Sequence, residues 1–167
     1  MITLNTNTVV KVGIADMNIV GEGSSIRTSG LGSCIGVVIY DEIIKLAGMV
    51  HVMLPHSTIG KEPSINLAKY ADTGIDELIR QLDVRGADVR RLKCKMAGGA
   101  QMFQFKTKSD VMRIGPRNAD AVKEALLKHR VPIIAEDIGG NKGRTIEFFP
   151  STGILHVRKV NEGTKEL

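Results

Sequence analysis

Tryptophan is absent from this 167-residue chain, and aromatic side chains make up only 4% of it. That removes the interleaved basic and aromatic platforms on which single-stranded nucleic acids stack, so nucleic acid is not an expected partner. Cysteine is scarce as well. Cys34 and Cys94 cannot build a disulfide framework, which points to a reducing compartment and free thiols. No apolar run approaches the roughly 18 residues that a membrane span requires, and the opening MITLNTNTVVKVG lacks a charged-then-apolar targeting pattern. The expectation is a cytoplasmic protein with no membrane insertion. Charge is nearly balanced: 23 Lys and Arg against 18 Asp and Glu give a formal +5, with the basic residues scattered. Such a balance favours acidic partners only mildly. With 43% hydrophobic residues, the length fits one domain, 1–167, with a proper core.

The stretch Thr28-Ser29-Gly30-Leu31-Gly32-Ser33-Cys34 places one thiol in a setting rich in glycine and hydroxyl groups. The β-branched run Ile35 to Tyr40 follows, then Asp41 to Lys45 as a turn, then the apolar run Leu46 to Leu54, which together read as a hairpin. Antiparallel pairing across that turn joins residues whose numbers sum to about 85 or 86, which brings Cys34 beside His51. Opposed Cβ atoms lie about 4.5–5.5 Å apart, close enough for a thiol and an imidazole to exchange a proton. Gly30 and Gly32 allow close backbone approach, and N–H groups near Ser33 and Cys34 could receive an oxyanion. Against this stands the ordinary fate of such residues, since free cysteine is commonly buried and a lone histidine in an apolar strand is commonly a core residue.

Along the rest of the chain, Val9 to Val20 suits a strand or two and Gly21 to Ser25 a turn. His56, in a polar loop after Pro55, reads as solvent-exposed. Leu67, Ala71, Ile75, Leu78 and Leu82 recur at helical spacing, with Gly86 placed to end that helix. Leu92, Cys94 and Met96 alternate with basic residues as in a strand with one buried face, so Cys94 reads as a small core residue. Gly98 and Gly99 suggest a sharp turn, and Phe103 beyond them an apolar docking anchor or a core residue. A second helix runs from Pro116 or Asn118 to about Arg130, a short strand covers Val131 to Ala135, and a last hairpin joins 145–149 to 154–160. The glycine-rich loop 138–144 lacks the Gly-Lys-Ser/Thr ending of a phosphate cradle. From Asn161 the charged tail is expected to fray. Strands first, then helix–strand pairs and a closing hairpin, imply an α+β layered sandwich of β-sheets with flanking helices.

The runs TSGLGSC, HVMLP, KYADTGID, KMAGGAQMF, IGPRN, EDIGGNKGRTIEF and TGILHVRKV, in this order, resemble the CheD family of chemoreceptor glutamine deamidases from about Val10 to Val160. The resemblance implies β-sheets packed together with helices outside, and an amidohydrolase that converts glutamines in the helical cytoplasmic region of methyl-accepting chemotaxis receptors to glutamate. It implies Cys34 as nucleophile, His51 as proton carrier and Thr28 as a third catalytic position orienting the imidazole, with Gly32 and Ser33 supporting the oxyanion. No metal or organic cofactor is implied. Glutamate methyl esters as further substrates and a CheC-type phosphatase as regulatory partner also follow from it; the docking surface at Phe103, Gly98 and Gly99 is read from the residues themselves, an apolar ring beside a glycine turn. A non-catalytic adaptor that binds receptors or phosphatase is the main alternative, and a basic nucleic-acid-binding domain a third.

Overall fold

The computed structural model describes residues 8–57, 65–101 and 113–167. Among these residues ten strands form two five-stranded sheets, and two α-helices cover one of them. In chain order the elements are β1 (Thr8–Val12), β2 (Met17–Val20), β3 (Ser24–Leu31), β4 (Ile35–Asp41), β5 (Leu46–Val52), α1 (Ala71–Val84), β6 (Lys93–Gly98), α2 (Ile114–Lys128), β7 (Ile133–Ile138), β8 (Arg144–Phe149), β9 (Ile154–Lys159) and β10 (Gly163–Glu166). The first sheet runs β1-β3-β8-β9-β10 and the second β2-β5-β4-β6-β7. β1 with β3 and β6 with β7 pair in parallel; the other pairs are antiparallel. The architecture is the expected α+β sandwich, with both helices on the same side of the second sheet.

Side-chain alternation creates two separate apolar layers. Every residue of β4 is buried, because this central strand is covered on both faces. Ile35, Val37 and Ile39 point to the helices, where they meet Ile75, Leu78 and Leu82 of α1 and Val122 and Leu126 of α2. Val38 and Tyr40 point the other way, toward Ile26, Ile146 and Phe148 of the first sheet. The Tyr40 and Phe148 rings meet at 4.8 Å between centroids, tilted by 52°. Burying each such large side chain stabilises the fold by about 1.5–3 kcal/mol.

Leu67, expected on the α1 stripe, lies before the helix in a short 3-10 turn and is 40% exposed, whereas the helix itself buries Ala71, Ile75, Leu78, Ile79 and Leu82. Its end is closed by Gly86, at φ 103°, while the Ala87 N–H reaches back to Leu82 O at 3.0 Å.

Three further expectations are corrected. Ser24–Leu31 is a strand of the first sheet, so the turn ends sooner than composition suggests. Its hydroxyl and glycine content hid it, yet Ile26, Thr28 and Leu31 are buried. The tail does not fray: β10 pairs with β9, and Leu167 exchanges both backbone bonds with Leu155, at 2.8 and 3.0 Å. Finally, Asp41 belongs to β4 rather than to the turn. Its fully buried carboxylate accepts from Arg91 Nε at 2.7 Å and from the N–H groups of Ile43 and Asp88. Burial alone would raise its pKa, but these donors hold it below the ordinary value. Moving Asp41 into the strand shifts the hairpin register: Ile35 pairs with Val52 and Gly36 with His51.

Candidate functional site

His51 stands opposite Gly36, not Cys34. The two sites still share a face. Met49 and Ala47 of β5 point into the layer between the sheets, so His51 does too, and on β4 that face carries Tyr40, Val38 and Gly36. Cys34 lies two residues before Gly36 and packs against the same apolar layer. It thus lies just beyond the end of the strand pair, against the same layer that His51 faces. Gly36 leaves room for the facing side chains at the crossing: a Cβ there would lie 2.5 Å from Ile146 Cδ1, 3.1 Å from Leu31 Cδ1 and 3.3 Å from Thr28 Cγ2, so these side chains would have to shift.

Thr28 reaches the imidazole from the opposite sheet. Its Oγ1 lies 2.7 Å from His51 Nδ1 and 2.7 Å from Val12 O. A hydroxyl has one proton and a carbonyl can only accept, so Thr28 donates to Val12 O and accepts from Nδ1–H. The tautomer is thereby fixed. Nε2 carries the lone pair, is buried and meets no hydrogen-bond partner among the described residues. The backbone of His51 is pinned as well, accepting from Ala15 N and donating to Asp16 O, each at 3.0 Å.

Cys34 ends a three-residue bend between β3 and β4, and it is partly exposed, as are Gly32 and Ser33. Every carbonyl of this bend is tied inward. Gly32 O accepts from Ala100 N at 2.8 Å, Cys34 O from Gly99 N at 2.9 Å, and Ser33 O from Asn118 Nδ2 at 3.0 Å. The N–H groups of Ser33 and Cys34 meet no backbone carbonyl among the described residues. Gly98 and Gly99, expected to border a docking surface, are buried and form the wall behind the thiol. A Cβ at Gly98, whose φ is 120°, would lie 2.2 Å from Cys34 O. Phe103 lies outside the described residues.

Behind that wall stands Arg144, 4% exposed, which donates to Gly98 O at 3.3 Å and Gly139 O at 2.8 Å. Asp137 faces it at 3.5 Å and Lys159 at 3.0 Å, so this charge cluster ties the second sheet to the first beside the bend. Composition gave Arg144 and Asn118 no role, although both fall in motifs quoted above. Asn118 had one readable signal. It is a polar residue four positions before Val122 and seven before Ala125, on the helix's buried stripe.

Electrostatics make the pair neutral at rest. Burial pushes the Cys34 thiol above its ordinary pKa, an effect partly offset by its own backbone N–H. Burial also pushes His51 down to about 4. At neutral pH the site thus holds a protonated thiol and an imidazole with a free lone pair, which suits general-base activation rather than a standing thiolate–imidazolium pair. Cys94 is fully buried in the helix-side core and its pKa is raised further by burial. Among the described residues, no three His, Cys, Asp or Glu side chains gather as a metal-binding group, and no helix is long and apolar enough to cross a membrane.

Residues 53–159 match the family model for CheD chemotactic sensory transduction. The chain is 56% identical over 161 residues to the chemoreceptor glutamine deamidase CheD of Halalkalibacterium halodurans, covering 96% of this chain and 99% of that one. It is 52% identical over 159 residues to the chemoreceptor glutamine deamidase CheD of Bacillus subtilis, covering 95% and 96%. A probable chemoreceptor glutamine deamidase CheD of Geobacillus kaustophilus is 50% identical over 165 residues, covering 98% and 100%.

Proposed function

The chain belongs to the CheD family, and from that premise we propose that it is a chemoreceptor glutamine deamidase working through a Cys34 thioester. The observation that carries the mechanism is the Thr28–His51 bond, because it leaves Nε2 as a free base on the face that Cys34 shares. No hydrogen bond joins Nε2 to the thiol at rest, and a seated substrate closes that gap, as catalytic contacts commonly tighten in the substrate complex.

His51 Nε2 takes the thiol proton as Cys34 Sγ attacks the side-chain carbonyl carbon of the glutamine. The carbonyl oxygen becomes an oxyanion, received by the N–H groups of Ser33 and Cys34, which meet no backbone carbonyl among the described residues. Imidazolium then protonates the amide nitrogen, ammonia leaves, and a γ-glutamyl thioester remains on Cys34. Water, giving a proton to Nε2, attacks the thioester; the carbon–sulfur bond breaks, the sulfur recovers a proton, and glutamate is released. Thr28 acts through His51, holding Nδ1–H so that Nε2 alone exchanges protons.

The same route hydrolyses a glutamate methyl ester, with methanol leaving in place of ammonia. A cytoplasmic location keeps Cys34 reduced and within reach of the receptor's helical region, and a CheC-type phosphatase is the regulatory partner this reading carries. Ammonia release from a receptor cytoplasmic fragment tests the proposal. Cys34→Ala and His51→Ala should each abolish turnover, and the double variant should be no worse than either. Undiminished release by Cys34→Ala would overturn it.

A further inference from the structure

The β4–β5 ladder stops at the pair Ile35 and Val52, one residue short of the thiol. Beyond that rung the N–H groups of Met53 and Leu54 turn away to Lys69 O, at 2.8 and 3.1 Å. No strand bond therefore fixes the Cys34 bend relative to the segment that follows His51. One side chain bridges this gap. Asn118 Nδ2 donates to Ser33 O at 3.0 Å and to Met53 O at 2.8 Å, joining the residue before Cys34 to the residue two after His51.

Asn118 is fully buried, and its neighbours on the inner face of α2 are small or apolar: Ala119, Ala121, Val122 and Ala125. Asparagine is a poor helix former, and a buried amide costs free energy unless it is bonded. Here both of its donor hydrogens are used, while Oδ1 has no partner among the described residues. The site asks for a double donor and nothing else. One turn earlier, Gly115 lets α2 press against the wall behind the thiol, since a Cβ there would lie 2.4 Å from Ala100 O and 2.6 Å from Gly99 O. Gly99 in turn donates to Cys34 O.

We propose that Asn118 is a positioning residue for hydrolysis, a clasp that replaces the missing ladder rung and sets the reach between Cys34 and His51 Nε2. The proposal rests on the Cys34–His51 mechanism above. Asn118 touches neither substrate nor sulfur; it acts through the two backbone carbonyls it holds.

The test compares wild type, Cys34→Ala, Asn118→Ala and Asn118→Asp on a chemoreceptor cytoplasmic fragment, reading melting temperature, kcat and KM below that melting temperature, and the pH dependence of Cys34 alkylation by iodoacetamide. Misplacement of reacting groups by about 1 Å costs on the order of 100-fold, so kcat should fall about 10- to 100-fold in both Asn118 variants while KM moves less than about 3-fold. Aspartate keeps the size but offers no donor when ionised and one when protonated. Per folded molecule, the kcat of Asn118→Asp relative to wild type should rise as pH falls from 8 to 6, and Asn118→Ala should show no such recovery. Should Asn118→Ala melt at the assay temperature, the aspartate variant decides. A lower melting temperature with wild-type kcat per folded molecule and an unchanged alkylation profile would make Asn118 purely structural and overturn the proposal. If Cys34→Ala remains inactive in that case, the thioester mechanism survives. An active Cys34→Ala would overturn both.

Discussion

Lowering the pH should destabilise this protein through one histidine. His51 is fully buried and burial pushes its pKa down to about 4, so the fold keeps the imidazole neutral where the unfolded chain would charge it. The unfolded state then binds more protons below about pH 6.5, and stability falls with pH until the folded group titrates as well. The contribution is complete above about pH 6.5 and lost as pH descends through about 4. With a pKa of about 6.5 unfolded and about 4 folded, the linkage relation gives a loss of about 2 to 2.5 kcal/mol between pH 7 and 4.5. Urea unfolding of wild type and His51→Gln at both pH values isolates this term, because glutamine cannot titrate and the carboxylates common to both proteins cancel in the double difference. Under the proposed mechanism the same titration governs turnover. An imidazole with an ordinary pKa would cost roughly 10-fold in kcat/KM by pH 5.5, whereas this one should hold kcat/KM nearly level from pH 7 to 5.5. Equal acid sensitivity of the two proteins, or an acid limb centred near pH 6.5, would refute a His51 that is buried and neutral.

Iodoacetamide at neutral pH should label Cys34 in the native protein well before Cys94, because Cys34 is partly exposed whereas Cys94 is completely buried; equal native rates would contradict that assignment. Thr28→Val strands Val12 O without its donor and His51 Nδ1 without its acceptor, at about 1–3 kcal/mol for each buried orphan, and turnover should fall on the order of 10- to 1000-fold while Thr28→Ser retains most of it. Gly98→Ala adds about 1–3 kcal/mol of backbone strain and forces the Cys34 carbonyl aside; a variant with wild-type urea midpoint and wild-type Cys34 alkylation would show that the wall behind the thiol is not tight.

Patterning revealed the helices, the hairpins and the core role of Cys94, because burial on one face imposes a period that survives in the sequence. Cys34 and His51 were likewise readable as candidates, and Thr28 only through the family resemblance, yet their geometry was not. Register depends on where a turn begins, and that was decided by Asp41, whose carboxylate is captured by Arg91 and Asp88, residues fifty and forty-seven positions away. The partner sheet carrying Thr28 was equally hidden: the polar residues and glycine of β3 carry no clear strand period, although it pairs in parallel with β1. In β10 all four residues are exposed, so nothing in their hydropathy distinguishes a paired edge from a loose tail. Asn118 escaped for the opposite reason: its partners are backbone carbonyls, which leave no trace in residue type.

Rapid acid quenching of the protein during turnover of a receptor fragment, followed by intact-mass analysis and peptide mapping, tests the central claim most directly. A covalent adduct equal to enzyme plus substrate less one ammonia, mapped to Cys34 and absent from Cys34→Ala, is the predicted result. Steady ammonia release without any adduct, from a Cys34→Ala protein that keeps pace with wild type, would contradict it.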